Sequence, residues 1–244
     1  MKIIFSPSKT MNFEIPSISK VEGTKALYSN KALEIIKELR TFSLDVLEKK
    51  LKLKADKLLE LLSKFGNFEL LEEKIAIEAY TGISFRQLEL KAYTKKEWDF
   101  IENNVFILSA LYGINRGTDL IKNHRLDMTM KIFDISPHEY WKETINNSNL
   151  LEEKTPILNL ASKEFSKLID TKKFNIINVE FLEEINGAYK SISTNSKKAR
   201  GLMLNYIIKN KTSKVEDCRK FNANNYVFSK EKSNENNLVF LKRM

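Results

Sequence analysis

The spacing of apolar segments predicts that this chain of 244 residues folds as a single α+β domain, a mixed β-sheet with helices packed around it. Three observations lead there. Apolar runs of strand length are interspersed with segments of helical periodicity from one end to the other. Two helix starts are written as capping boxes, Thr94-Lys95-Lys96-Glu97 and Ser136-Pro137-His138-Glu139, the second with proline at its first helical position. No internal repeat, low-complexity linker or break in composition divides residues 1–244 into two units.

Taken in order, Lys2 to Phe5 reads as the first strand, closed by Ser6-Pro7. Leu27, Leu33, Ile36 and Leu39 then recur at helical spacing, with Thr24 as the cap. Ser43 opens a second helical stretch, whose apolar set Leu44, Leu47, Leu51, Leu58, Leu61, Leu62 and Phe65 ends at Gly66. Lysines interleave with that set, so two short helices would meet near Leu53 to Asp56 in a basic elbow. One continuous amphipathic helix accounts for the same residues. Ile75 to Tyr80 alternates as a strand before Thr81-Gly82. The Thr94 box begins a helix to about Asn103, with Trp98 and Ile101 facing inward, and that helix feeds a buried strand, Val105 to Leu108. The Ser136 box begins a helix running through Trp141. Pro156 to Leu160 is a strand, and Ser162 caps the helix after it. Phe174 to Glu183 and Ala188 to Thr194 flank Asn186-Gly187, a strong hairpin signal. Ser196 opens a helix to about Lys209, and the tail returns to strand at Tyr226 to Phe228 and Leu238 to Phe240.

Composition narrows the function classes. Lys and Arg outnumber Asp and Glu by 41 to 32, a net charge of +9, which suits an anionic partner and nucleic acid foremost. A solvated lysine-rich surface would carry the same surplus. Cys218 is the single cysteine, so no intramolecular disulfide forms and a reducing cytoplasmic home is expected. The N-terminal MKIIFSPSKT is too short in apolar residues for a signal peptide, and no stretch reaches membrane-span length. With only His124 and His138 beside that one cysteine, neither a His/Cys metal site nor a Cys-His nucleophilic pair is expected, and no cofactor is implied.

Chemistry-bearing residues concentrate in three places. Ser109 to Asp127, SALYGINRGTDLIKNHRLD, places Tyr112, Arg116, Asp119, Arg125 and Asp127 beyond a buried strand, where α/β scaffolds present functional side chains. A turn with surface charges explains the same letters, with Gly113 and Gly117 supplying positive φ. Asp119 and Asp127 serve either as acid and base or, the favoured role, as ion-pair partners of Arg116 and Arg125. His124 reads as a surface histidine. In Ser196-Lys197-Lys198-Ala199-Arg200-Gly201, three cations in a first helical turn oppose the helix dipole unless an anion is bound there. Gly201 would let another backbone or a phosphate come close. Ser6-Pro7-Ser8-Lys9-Thr10 is a loop of hydroxyls and one lysine that could hold an anion. Its missing glycines exclude a P-loop, and Ser6-x-x-Lys9 is too common a spacing to mark a nucleophile and base.

Together, IIFSPSKT, YTG at Tyr80 to Gly82, SALYGINRGTDL, HRLDM, NLAS at Asn159 to Ser162 and KKARGLM at Lys197 to Met203 resemble, in order and spacing, the YaaA family of bacterial peroxide-stress proteins over nearly the full chain. The resemblance implies a cytoplasmic protein of the hydrogen peroxide response that limits free iron and oxidative DNA damage. It further implies binding of double-stranded DNA through the phosphate backbone, with a basic cleft and a helix-hairpin-helix element. That element falls at Ser43 to Phe65. Expected phosphate contacts are Ser6, Lys9 and Thr10 on the first loop, and Lys52, Lys54 and Lys57 on the elbow. Tyr112, Arg116 and Arg125 in the central stretch and Lys197, Lys198 and Arg200 on the late helix complete them. A small anionic ligand in the cleft is the alternative: an enzyme acting on a nucleotide, damaged base or phosphorylated metabolite, with Lys9, Tyr112 and Asp119 as candidates for the chemistry. Two departures stand out, Arg116-Gly117 where the family has Arg-Pro, and no glycine between Leu51 and Lys57.

Overall fold

The short run Lys2–Phe5 (β1) becomes the middle of the sheet because strands buried along their whole length pair with it on both sides. The computed structural model describes the backbone at residues 1–51 and 55–242, and side chains at all of these except 51 and 55–57. After β1 come β2 (Thr24–Lys25), α1 (Ser29–Leu39), α2 (Leu44–Leu51), α3 (Ala55–Gly66), β3 (Glu73–Ile75), α4 (Ala76–Ala79) and α5 (Lys95–Asn104). The central stretch forms β4 (Val105–Ser109), β5 (Gly113–Arg116) and β6 (Asp119–Lys122), followed by α6 (Pro137–Asn146), β7 (Ile157–Leu160) and α7 (Lys163–Ser166). The remainder is β8 (Ile176–Ile185), β9 (Ala188–Lys190), α8 (Ser193–Asn210), α9 (Val215–Cys218), β10 (Asn222–Ala223), β11 (Tyr226–Phe228) and β12 (Asn237–Lys242).

The main sheet has the order β10-β11-β12-β8-β7-β1-β4-β5, with β9 paired to β8, and a small second sheet has the order β2-β6-β3. The fold is α+β with a mixed sheet, as the sequence pattern predicts. Strands β12, β8, β7, β1 and β4 run parallel, while β5, β11 and β10 are antiparallel edges. A parallel centre covered on both faces explains why every residue of β4 and β7 is buried. From β1 the chain crosses to β4 on one side, and later returns to β7 on the other before moving outward to β8 and β12. The sheet therefore reverses its direction of growth between β1 and β7, and a crevice opens at the strand ends at such a point.

Both capping boxes form. The Thr94 backbone N–H donates to Glu97 Oε2 at 2.6 Å, and Trp98 and Ile101 below it are fully buried. Ser136 and Glu139 close the other box, and α6 delivers Trp141 to the core, where its Nε1 donates to the Ala110 carbonyl at 2.9 Å. Trp141 lies against Gly113, whose φ of 69° and lack of a Cβ are both required there. The hairpin turn between β8 and β9 has φ 51° at Asn186 and 76° at Gly187, the mirror-image turn that suits strand twist.

Several expectations are corrected. Thr24 caps no helix: it pairs in β2, and its hydroxyl donates to the buried Asp119 carboxylate at 2.6 Å, while α1 starts at Ser29 without a side-chain cap. The strand predicted at Ile75 to Tyr80 ends at Ile75, because the next four residues form one wholly buried helical turn that mimics a strand in its apolar content. Residues 193 and 194 are helical rather than strand, so α8 begins a turn before Ser196, whose N–H already donates to the Ile192 carbonyl at 2.8 Å. Lys197, Lys198 and Arg200 thus sit beyond the first turn, and the helix-dipole reading of them falls. Gly117 has no positive φ; Ile101 occupies the space a side chain would take. The joint near 52–54, which decides between one helix and two, lies outside the described residues, as do Lys52, Lys54 and the side chain of Lys57.

Helix α8 is held against residues 83–87 by Gly201. A Cβ there would collide with the Ser84 carbonyl oxygen, and the Ser84 hydroxyl donates to the Lys197 carbonyl at 2.8 Å. Gly201→Ala gains about 1 kcal/mol of helix propensity, but overpacking against backbone costs roughly 1–3 kcal/mol or more. The clash wins. A lower urea midpoint with an unchanged m-value is expected, and a raised midpoint would show that the 83–87 loop yields freely.

Candidate functional site

Three parallel strands, β7, β1 and β4, end side by side, and each runs into a hydroxyl-bearing turn: Ser162, Ser6 and Ser109. Beyond these ends lies a cavity of about 350 Å³. Its wall is completed by residues 7–10 after β1, residues 82–85, residues 124–127, Glu164 and Phe165 at α7, and Lys197 and Arg200 reaching in from α8. The position is the one a switch point in a parallel sheet dictates.

The hydroxyls at the strand ends are partly committed. Ser6 Oγ donates to Ser162 Oγ at 3.3 Å and accepts from the Ser162 N–H at 2.8 Å, joining the two strands across the reversal. Ser109 Oγ accepts the N–H groups of Leu111 and Tyr112, both at 3.2 Å. Ser8 and Thr10 contact each other at 3.1 Å on the exposed side.

The cations differ in how well they are satisfied. Lys9 Nζ reaches Asp127 Oδ2 at 2.8 Å, with the lysine side chain 63% exposed, so the pair contributes little to stability. Arg125 and Arg200 each carry a buried Nε with no hydrogen-bond partner. Both residues also line the cavity, so each brings a guanidinium to its wall while its Nε stays closed to solvent. Burial holds Arg200 below the ordinary arginine range, with Glu180 opposing that shift in part.

His124 lines the same cavity and is buried, not on the surface as expected. Its ring lies edge-on to Tyr112 at 5.3 Å and to Tyr80 at 6.3 Å. Its Nδ1 is 2.8 Å from the Lys122 carbonyl, which only accepts, so the proton is assigned to Nδ1 and the Nε2 lone pair is left open. Burial pushes its pKa down to about 4, so the ring is neutral at pH 7.

The cavity gathers Ser6, Lys9, Thr10, Arg125, Lys197 and Arg200 from the residues singled out in the sequence. It does not gather Tyr112, Arg116, Asp119 or Lys198. The Tyr112 hydroxyl accepts the Lys122 N–H at 3.1 Å, and burial raises its pKa. Asp119 is fully buried at the turn between β5 and β6, accepting the Arg116 N–H at 2.7 Å with Arg116 Nη1 at 3.8 Å. Burial raises the Asp119 pKa, its two hydrogen bonds and Arg116 opposing that. Its partner is Arg116, as expected, whereas Asp127 pairs with Lys9 and not with Arg125. Sequence reasoning passed over Ser84, Ser109 and Glu164, and read Ser162 as a cap, although its hydroxyl accepts from Ser6 and makes no cap bond. The signal for Ser162 was present: it follows one apolar strand as Ser6 follows another. Among the described residues no three His, Cys, Asp or Glu are grouped to hold a metal ion, and no helix is long and apolar enough to cross a membrane.

A family model described as peroxide stress protein YaaA matches residues 1–232. A UPF0246 protein of Fusobacterium nucleatum is 44% identical over 246 aligned residues, spanning 100% of this chain and 99% of its own length. UPF0246 proteins of Francisella philomiragia and of Francisella tularensis subsp. novicida are each 34% identical, the alignments spanning 98% of this chain and 99% of the relative.

The neutral buried histidine makes stability depend on pH with a definite sign. Its folded pKa lies near 4, below the ordinary 6.5, so on acidification the unfolded chain takes up the proton first. Stability from this group is complete above about pH 6.5 and is lost as pH falls toward about 4, a change of roughly 3 kcal/mol. Urea unfolding at pH 7 and pH 4.5 checks it: the wild type should lose more stability between the two than His124→Phe, and equal losses would place the histidine in solvent.

Proposed function

The chain belongs to the peroxide stress protein YaaA family, and on that premise we propose that it serves the peroxide response in the cytoplasm by binding double-stranded DNA through its phosphates and limiting oxidative damage to it. The observation that carries this reading is the convergence of Lys9, Lys197, Arg125 and Arg200 on one cavity, with Lys9 and Lys197 exposed at its rim, on a chain of net charge +9. Phosphate oxygens are the acceptors such donors bind most strongly. A cavity of about 350 Å³ does not admit a duplex, so the duplex backbone would cross its mouth, where Lys9 and Lys197 are exposed. Contacts of that kind neutralise phosphates without reading bases.

A second reading is favoured by the cavity's mixed chemistry. Hydroxyls, Asp127, Glu164 and a neutral histidine exceed what backbone contact uses, and they suit an enzyme acting on a nucleotide, a damaged base or a phosphorylated metabolite.

Titration of a labelled duplex across a potassium chloride series separates the two. The Lys9→Gln/Lys197→Gln variant should bind more weakly, with a slope of log affinity against log salt shallower by about 2. Unchanged duplex binding together with lost peroxide survival in cells carrying the variant would move the function to the second reading.

A further inference from the structure

We infer that the cavity is a pocket for one nucleotide unit, its phosphate on Arg125 and Arg200 and its base among Phe5, Phe85 and Phe165 with an N–H donated to His124 Nε2. This rests on the phosphate-binding reading of the same site and names what else the ligand must carry. Small-molecule sites occupy roughly 300–1,000 Å³, so this cavity, at about 350 Å³, takes a single unit and not a longer segment.

Inorganic phosphate or a sugar phosphate would leave the apolar part of the wall without a function. In that part Phe5 is edge-on to Phe85 at 5.2 Å, and behind the wall the buried Tyr80 packs on Phe85 at 5.1 Å and meets His124. Phe85 and His124 therefore flank a common neighbour and face one cavity. A flat, polarisable ligand suits such a wall. The open lone pair of His124 adds a requirement that a purely apolar group cannot meet. With Nδ1–H fixed on the Lys122 carbonyl, the ring presents an acceptor to the ligand and selects one carrying a donor. Nucleotides are the common ligand class that joins a planar ring bearing N–H to a phosphate. The unit could be a free mononucleotide or a nucleotide turned out of a strand, for both present the same groups.

Isothermal titration of the full chain with inorganic phosphate, deoxyribose 5-phosphate and the four deoxynucleoside 5′-monophosphates is the test. At least one mononucleotide should bind roughly tenfold more tightly than deoxyribose 5-phosphate, the order that one hydrogen bond and a buried ring supply. His124→Phe should remove that advantage and leave deoxyribose 5-phosphate binding unchanged. Equal affinity for mononucleotides and deoxyribose 5-phosphate overturns the nucleotide pocket while the phosphate reading stands. Absence of binding by every probe overturns the phosphate contact on Arg125 and Arg200 and the nucleotide pocket with it, and leaves duplex binding at the rim to the salt titration. Should His124→Phe fail to fold, the imidazole ¹⁵N resonances of the wild type decide the point. The Nε2 signal should shift on adding the preferred mononucleotide and stay fixed with deoxyribose 5-phosphate, and no shift with either removes His124 from the site. A single-stranded oligonucleotide that displaces the mononucleotide more strongly than its abasic counterpart identifies the strand as the source; parity between the two identifies the free nucleotide.

Discussion

Parallel pairing of β1 with β4 on one side and β7 on the other is the constraint from which the rest of the molecule follows. Parallel neighbours cannot be joined by a tight turn, so the chain must leave the sheet and come back. Ile3 pairs with Val105, and everything between them is a crossover that has to be packed somewhere. It is packed as α1 to α5 with β2 and β3, which the later β6 joins into the small sheet, and on its way back it lays residues 82–85 beside the end of β1. The same pairing brings the carboxyl ends of three strands to one edge. The Ser6–Ser162 contact then seals the seam where the sheet reverses, and the cavity is the space left above it.

Charge inside this fold is handled in two different ways. Asp119 is fully buried yet answered, by the Thr24 hydroxyl, the Arg116 N–H and the Arg116 guanidinium. It ties β2, β5 and β6 together and needs no ligand. Arg125 and Arg200 are the opposite case, each with an unanswered buried Nε. An unmet buried donor costs on the order of 1–3 kcal/mol, and more when the group is charged. Two such costs at one cavity are a sizeable share of the 5–15 kcal/mol typical of a domain's stability. Both guanidiniums still line the cavity, where an anion on the proposed reading would offset part of that cost through their charge.

What could be read from the sequence was whatever a single segment decides. The capping boxes at Thr94 and Ser136, the Asn186-Gly187 turn and the largely apolar strands β4 and β7 are set by neighbouring residues, and each formed where its pattern placed it. Failures came where a distant partner decides. Thr24 has the letter of a cap, but a carboxylate 95 residues away captures its hydroxyl. Ser196 resembles a helix start until the turn before it is seen to be helical, its own hydroxyl bonding to Ser191 and to the Phe181 carbonyl. The candidate site divided along the same line. Lys9, Arg125, Lys197 and Arg200 converge from three separate parts of the chain, whereas Tyr112 and Asp119, in the most motif-rich stretch, are spent on structure. Local density of functional residue types marks where a turn is built as readily as where a ligand binds, and only the sheet order tells them apart.

The graded exposure of the cations bears on how one cleft could serve both a long polyanion and a small ligand. Lys9 and Lys197 are exposed at the rim, and Arg125 and Arg200 are half-buried within. Rim charges act at the range of the Debye length, about 8 Å at physiological salt, so they raise encounter rates with any phosphate-rich surface and discriminate little. Charges held inside are screened less, and their donors are fixed in direction, so they reward only an acceptor that enters. A duplex would engage the first pair alone. A single nucleotide would engage both, and would meet the His124 acceptor as well. On the proposed reading, affinity for DNA and selectivity for a small unit would depend on different residues of the same cleft, and each could be altered without the other.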